Sequence, residues 1–358
     1  MTPKKTALTL GFLTPFCLSS AQAFDLYRDA DTALTFDGRI EARYNTYQDD
    51  SHLWDSGSTR WSLAVEQRIN DELDFMAEGE WGLYVTEDDY DDDPHATQRL
   101  LYAGLDHDRY GKLAGGKLWG VIYDVGWWTD MGRKFGSRAF GVYNYRDWGQ
   151  VSGAGRADRA VAWRKAFGDW KLGLQYQGRR ADEDLGHGIE ADLTDGIGGS
   201  LRRPVGENLE AGVAYYQNTY DEVTPGVGVE EGDEARLWLA GLKYRTDSIH
   251  AAVNVGYSQD WEIAENGQFY DALGVQAFTY YHFANGLRPN FNFNWLGDTG
   301  DDSGGYRRLT YIYGLEYHFE RDRFLVWSEY QDNHGNGWNG QAYEDAEDEW
   351  TLGIRYYF

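Results

Sequence analysis

The sequence predicts an all-β fold: one 16-stranded antiparallel transmembrane β-barrel, closed on itself, with short turns at one end and long loops at the other. Three observations carry the prediction. In the closing segment, Trp350, Leu352, Ile354, Tyr356 and Phe358 share one parity, and Thr351, Gly353, Arg355 and Tyr357 the other. An extended chain there has one wholly apolar face, as a strand wetted by lipid on one side and water on the other requires. No stretch reaches ~20 consecutive apolar residues, so no helix can cross a bilayer, and hydrocarbon then allows only a closed barrel. The composition agrees: 27 Tyr and 15 Trp suit two interfacial girdles, and 44 Gly with only 6 Pro suit many strands joined by tight turns. A mean hydropathy of -0.66 is no obstacle, because only alternate residues face lipid.

The elements follow in order. Lys4 and Lys5 precede the mostly apolar Ala7 to Cys17, which is too short to span a bilayer, and Ala21-Gln22-Ala23 has a small-x-small cleavage pattern. Residues 1–23 read as a secretory signal peptide and 24–358 as a single barrel domain. Cys17 leaves with the signal, so the exported chain has no disulfide. The first strand sets Leu34, Phe36, Ile40, Ala42 and Tyr44 against Thr35, Asp37, Arg39, Glu41, Arg43 and Asn45. Phe75, Ala77, Trp81, Leu83 and Val85 likewise oppose Asp74, Glu78 and Glu80, and Leu309 to Phe319 alternates in the same way. A lipid-facing Arg or Lys costs roughly 2–4 kcal/mol at the midplane, so Arg39, Arg43 and Glu78 are expected to point inward. Arg159 resists, sharing its phase with Val161 and Trp163; a rim position and a subunit contact both fit it. Tight turns fall at 70–72, 168–169, 203–206, 246–247 and 320–322. Longer polar segments near 48–59, 87–98, 120–150, 179–194, 219–234, 259–273, 297–307 and 331–348 make eight loops, hence eight hairpins and sixteen strands. A barrel of 16–18 strands holds an aqueous channel, whereas eight strands would be filled by side chains.

The formal charge of -26 becomes -28 once the two signal lysines are removed, which argues against nucleic acid as a partner. The acidic runs Glu87–Asp93, Asp298–Asp302 and Glu344–Glu349 read as solvated external loops, without the regular ligand spacing of a calcium site. The eight histidines are scattered, and no nucleophile motif, phosphate loop or metal spacing accompanies them, so neither an enzyme nor a cofactor is expected.

Several stretches resemble the Gram-negative general (enteric-type) porins: Arg99-Leu-Leu-Tyr-Ala-Gly-Leu105, Gly120-Val-Ile-Tyr-Asp124, Trp128-Thr-Asp-Met131, Phe135-Gly136 and Gly155-Arg156, with Phe36-Asp-Gly-Arg39 and Thr59-Arg60 upstream. The resemblance implies an outer-membrane porin for passive diffusion of ions and small hydrophilic solutes. It also implies a homotrimer in contact with membrane lipid and lipopolysaccharide, and a third loop folded into the lumen as a constriction. Carried over by motif, the basic wall is Arg39, Arg60, Arg99 and Arg156; strand phasing independently puts Arg39 and Arg60 on the polar face. Asp130 matches an acidic loop residue, and Asp124 matches by position in a Tyr-Asp pair.

The chain departs from the family at the loop tip. Arg133-Lys134-Phe135-Gly136-Ser137-Arg138 stands where enteric porins usually have Pro-Glu-Phe-Gly-Gly-Asp. With Arg133 and Lys134 there, the constriction is expected to be net basic and to prefer anions, since local rings of charge set selectivity. The alternative is a solute-specific porin for oligosaccharides or anionic nutrients. In that reading Trp127 and Trp128 stack the solute; in the plainer one they anchor the loop to the wall.

Overall fold

The computed structural model describes residues 23–46, 52–84, 96–136, 139–140, 142–143, 149–300, 303–341 and 348–358. The strands run in chain order. β1 (Phe24–Arg28) lies along one edge of β2 (Thr32–Thr46), and β3 (His52–Asp55) folds back on the outer end of β2. β4 (Arg60–Asn70), β5 (Leu73–Leu83), β6 (Ala96–His107) and β7 (Gly111–Trp119) form a meander. One helical turn, α1 (Tyr123–Gly126), separates β7 from β8 (Arg156–Phe167) and β9 (Trp170–Gln177). β10 (Arg180–Gly186) and β11 (Ile189–Leu193) make a hairpin beyond the wall before β12 (Gly196–Pro204). Then come β13 (Leu209–Val223), β14 (Glu234–Arg245), β15 (Ile249–Ile263), β16 (Phe269–Tyr281), β17 (Leu287–Asp298), β18 (Arg307–Glu320), β19 (Phe324–Asn336) and β20 (Glu349–Tyr357).

Sixteen of these, β2, β4–β9 and β12–β20, pair antiparallel with their neighbours, and β20 closes on β2 with Arg39 opposite Tyr357. Closure leaves no unpaired strand edge in the wall, as hydrocarbon requires. The closing strand has the expected faces. Trp350, Leu352, Ile354 and Tyr356 are exposed outward, while Thr351 and Arg355 are buried inside. Phe358 extends the ladder, its N–H donating to the Gly38 carbonyl (3.0 Å) and its carbonyl accepting from Gly38 (3.1 Å). Beyond it β1 takes over the same edge of β2, with Phe24 opposite Phe36. The Phe358 ring stacks on Phe36 (5.3 Å) and leans on Phe24 (6.4 Å), so an aromatic cluster covers the seam where β1, β2 and the residue after β20 meet.

The loop and turn assignments need small corrections. Tight turns also join β6 to β7, over 108–110, and β16 to β17, over 282–286, where Asn285-Gly286 is the turn signal. β15 and β16 run further outward than expected and shrink the sixth loop to 264–268, because their register continues through Glu262–Tyr270. The third loop extends to 155, and the fourth carries the β10–β11 hairpin. Arg159 is at the rim: it has φ 49°, donates to the Arg179 carbonyl (3.2 Å) and pairs with Glu183 (3.3 Å). The signal segment 1–22, the run Glu87–Asp93, Arg138, Asp301, Asp302 and 344–347 lie outside the described residues.

Candidate functional site: a loop-narrowed lumen

The third loop leaves the wall at Gly120, whose N–H donates to the Gly155 carbonyl (2.8 Å) and pinches the loop's neck. α1 then lies against β12–β14. Asp124 accepts from Arg164 Nε (3.1 Å) and Ser200 Oγ (2.7 Å), and it is buried. Gly173 leaves room for it, since a Cβ there would stand 2.8 Å from Asp124 Oδ2. Trp128 is wholly buried, with its ring edge over Gly212, where a Cβ would lie 2.7 Å away. Its carbonyl contacts His250 Nε2 (2.8 Å), and Thr129 is held by Asn254 (2.9 Å) and Gln276 (3.2 Å). Lys243 Nζ sits over both indoles, 4.7 Å from Trp127 and 4.9 Å from Trp128.

Two sequence assignments therefore change. Asp124 is a loop anchor and not part of the constriction, because its two oxygens are taken by Arg164 and Ser200 on the wall. Trp128 has no free face for a solute; it packs where glycines admit its ring. Trp127 does border the lumen, but only 5 % of it is exposed.

Past Asp130 the loop crosses to β18–β20. The Glu329 carboxylate accepts three successive backbone N–H groups at the tip, from Arg133 (2.6 Å), Lys134 (2.9 Å) and Phe135 (3.1 Å). The Arg133 side chain reaches Glu316 (2.7 Å) and the Tyr357 hydroxyl (3.1 Å). Lys134 Nζ reaches Glu349 (2.8 Å); burial holds its pKa below the usual lysine range, against the pull of Glu349. Both tip cations are thus paired with wall carboxylates. This corrects the expectation that they supply the positive charge of the waist. Asp130 accepts from Tyr123 (2.6 Å) and Tyr143 (2.9 Å). Burial, and then the Asp130 charge, push both phenols above their usual range, so they remain O–H donors.

The arginine wall stands on β2–β6 and β20. Arg39 donates to the Ser58 carbonyl (2.8 Å) and has no carboxylate within ion-pair distance among the described residues. Arg60 (3.1 Å) and Arg99 (2.6 Å) share Glu80, and Glu78 accepts from Tyr102 (2.5 Å). Arg156 is buried, within electrostatic reach of Arg99 and Tyr143, and lies off the cavity lining. The wall also contains Arg355, paired with Glu41 and bonded to the Tyr357 hydroxyl (3.0 Å), which the motif comparison did not supply. Its parity with Thr351 and Gly353 was the signal that could have found it.

Between loop and wall lies a cavity of about 370 Å³. Its lining holds eight arginines (39, 60, 99, 133, 245, 288, 321 and 355) against five acids (Asp37, Glu78, Glu80, Asp130 and Asp322), a formal excess of three positive charges. Glu41 and Glu316, buried directly behind and paired with Arg355, Arg133 and Arg288, bring the excess to one. Such an arrangement can sieve by size and bias ions by sign.

Comparison with known proteins bears on family and fold. Residues 33–358 match the family model described as Gram-negative porin. Outer membrane protein S2 of Salmonella typhi is 30% identical over 319 residues, 81% of each chain. The solved structure of Salmonella typhi OmpF in complex with daunomycin superposes with a TM-score of 0.76 at 20% identity, covering 94% of this chain and all of that one. An anion-selective porin from Comamonas acidovorans superposes with a TM-score of 0.71 at 14% identity, covering 92% of this chain and all of that one.

Proposed function

Because this chain belongs to the Gram-negative porin family and forms a passive channel in the outer membrane, we propose that its waist admits small hydrophilic anions somewhat more readily than cations. One observation carries the reading: among the described residues arginines outnumber carboxylates along the lumen lining, and Arg39 has no carboxylate within ion-pair distance. In a water-filled lumen an unpaired guanidinium raises the local concentration of anions and lowers that of cations. The preference is mild, since the net excess is small once the buried acids are counted. The wall carries it, with Arg39, Arg60 and Arg99 at the surface and Arg156 behind. Asp130 is the opposing charge on the loop. Transport is diffusive and involves no catalytic step.

Three further parts of the reading rest on family membership. Residues 1–23 direct export and are removed. Three copies assemble through their lipid-facing walls. The external loops meet lipopolysaccharide. The experiment for the main proposal is a planar-bilayer reversal potential in a KCl gradient. A potential of the sign set by chloride supports it, and a clear potassium preference overturns it. A heat-labile high-mass band on a gel tests the trimer.

A further inference from the structure

At the short-turn end of the barrel, two turns bring together His282, His318 and Asp322, with one donor atom of each within 4.8 Å of the others. We infer that this cluster is a binding site for a transition-metal dication of the zinc or copper class, placed at the periplasmic mouth of the channel. Nothing in diffusion through the waist requires it, and it is built on β16–β18, other strands than those that carry Arg39, Arg60 and Arg99, although it borders the same cavity.

The backbone fixes the cluster. His282 opens the turn between β16 and β17, and its N–H donates to the Ser248 carbonyl (2.7 Å). His318 lies near the end of β18, and its N–H donates to the Gly286 carbonyl (2.8 Å), which ties the two turns together. Gly286 has φ 90°, and a Cβ there would lie 2.5 Å from the His318 carbonyl oxygen, so the close approach of the turns depends on that glycine. The two imidazole rings are 4.9 Å apart, centre to centre.

The tautomer is suited to a metal. The Asp322 N–H donates to His318 Nδ1 (3.2 Å), which leaves the ring proton on Nε2 for Glu316 (3.0 Å). Nδ1 therefore carries the ring's lone pair, and Asp322 Oδ1 stands 3.8 Å from it. A carboxylate that accepts the distal N–H of a ligating histidine is the usual outer-shell support of such a ligand. A metal at Nδ1 would replace only one long hydrogen bond. The His282 ring makes no hydrogen bond among the described residues and borders the cavity, so a second nitrogen donor is open to an arriving ion. His282 and Asp322 both border the lumen cavity, which gives an ion its path in.

Two imidazoles and one carboxylate favour zinc, copper or nickel over calcium and magnesium, which prefer all-oxygen shells. Metal–ligand bonds of about 2.1 Å put tetrahedral donors roughly 3.4 Å apart, so the side chains must draw in by about an ångström. Arg288 (3.5 Å) and Arg321 (3.7 Å) also approach the Asp322 carboxylate. Their charge opposes a dication and makes the site one of moderate affinity that depends on nitrogen donors.

Calorimetric titration of the detergent-purified, chelator-treated protein with Zn²⁺ tests this. One saturable site per chain is expected, undisturbed by millimolar Mg²⁺. H282Q, which removes a ring with no hydrogen bond, should weaken it ~10-fold or more, and D322N should do likewise, with heat-shift migration on a gel unchanged in both. The inference is overturned if no saturable Zn²⁺ binding occurs. It is equally overturned if both variants bind as the parent does, or if Mg²⁺ displaces the Zn²⁺, since the external acidic loops would then be the site.

Discussion

Replacing Arg39 by Gln removes a wall cation that has no carboxylate within ion-pair distance among the described residues and leaves the loop, the cavity and the Glu80 pairs in place. An ion passing about 6 Å from that guanidinium feels about 0.7 kcal/mol of Coulomb energy in water. At 0.1 M salt, where the screening length is ~10 Å, roughly 0.4 kcal/mol survives. The substitution takes that from the anion and relieves the cation of the same amount, so the chloride-to-potassium permeability ratio should fall roughly fourfold. At 1 M, with a screening length of ~3 Å, the change shrinks to roughly 1.4-fold. Reversal potentials in KCl gradients at both strengths supply the measurement. Two controls sharpen it. The charge-neutral double variant R60Q/E80Q should leave the ratio within about 1.5-fold of the parent, because the pair contributes little net field. K134Q should shift it by less than half the Arg39 effect, because Lys134 is turned to Glu349 and away from the cavity. A ratio unmoved by R39Q, or one moved more by K134Q, would refute the assignment of selectivity to the wall.

The remaining predictions concern how the loop is held. D124N leaves Arg164 buried without its counter-charge and should destabilise the folded barrel by about 3–5 kcal/mol, read as a lower heat-shift midpoint on gels. E329A strips the tip of its acceptor for three N–H groups and should weaken docking by about 2–4 kcal/mol, seen as greater open-channel current noise with the barrel's melting little changed. G212A places a methyl against Trp128 and Val125 and should cost about 1–3 kcal/mol in unfolding measurements, with S200A, which removes one donor to Asp124, as a milder companion.

Strand parity made the wall legible because lipid imposes a two-residue period on every crossing. Arg39, Arg60 and Arg355 could therefore be placed inward from the parity of Phe36 and Ile40, of Trp61 and Leu63, and of Ile354. The eight loops were countable for a related reason: charge and glycine cluster wherever the chain leaves hydrocarbon. The site was less legible. Asp124 and Asp130 are six residues apart in one loop, yet the first is locked to Arg164 and Ser200 while the second faces the cavity. Nothing local distinguishes them, because the difference comes from partners 40 and 76 residues away. Trp127 and Trp128 divide in the same way, one at the lumen and one over glycines of β13 and β14. Glu329, which fixes the loop tip, reads in the sequence as one more inward carboxylate, since its three donors are backbone groups some 195 residues distant.

The tip of the loop reveals how charge is distributed at the waist. The family resemblance sets an acidic loop against a basic wall, and in this chain the tip carries Arg133 and Lys134 instead. That substitution alone would have left two buried cations facing an arginine wall, at a cost of several kcal/mol in desolvation and repulsion. The tip instead docks on β18–β20, where Glu316, Glu329 and Glu349 accept Arg133, the backbone N–H groups and Lys134. The change is thus a charge exchange between loop and wall, confined to the tip, with little net effect there. What remains to bias a passing ion is the β2–β6 wall, in which Glu80 is divided between two arginines and Arg39 has no acid of its own. A basic waist in a chain of formal charge -26 is then no contradiction. Carboxylates paired with arginines cancel much of their field even where they line the cavity, and those solvated in outer loops are far from it, whereas a guanidinium on the lining without an acid beside it, such as Arg39, acts on every ion that passes close to it.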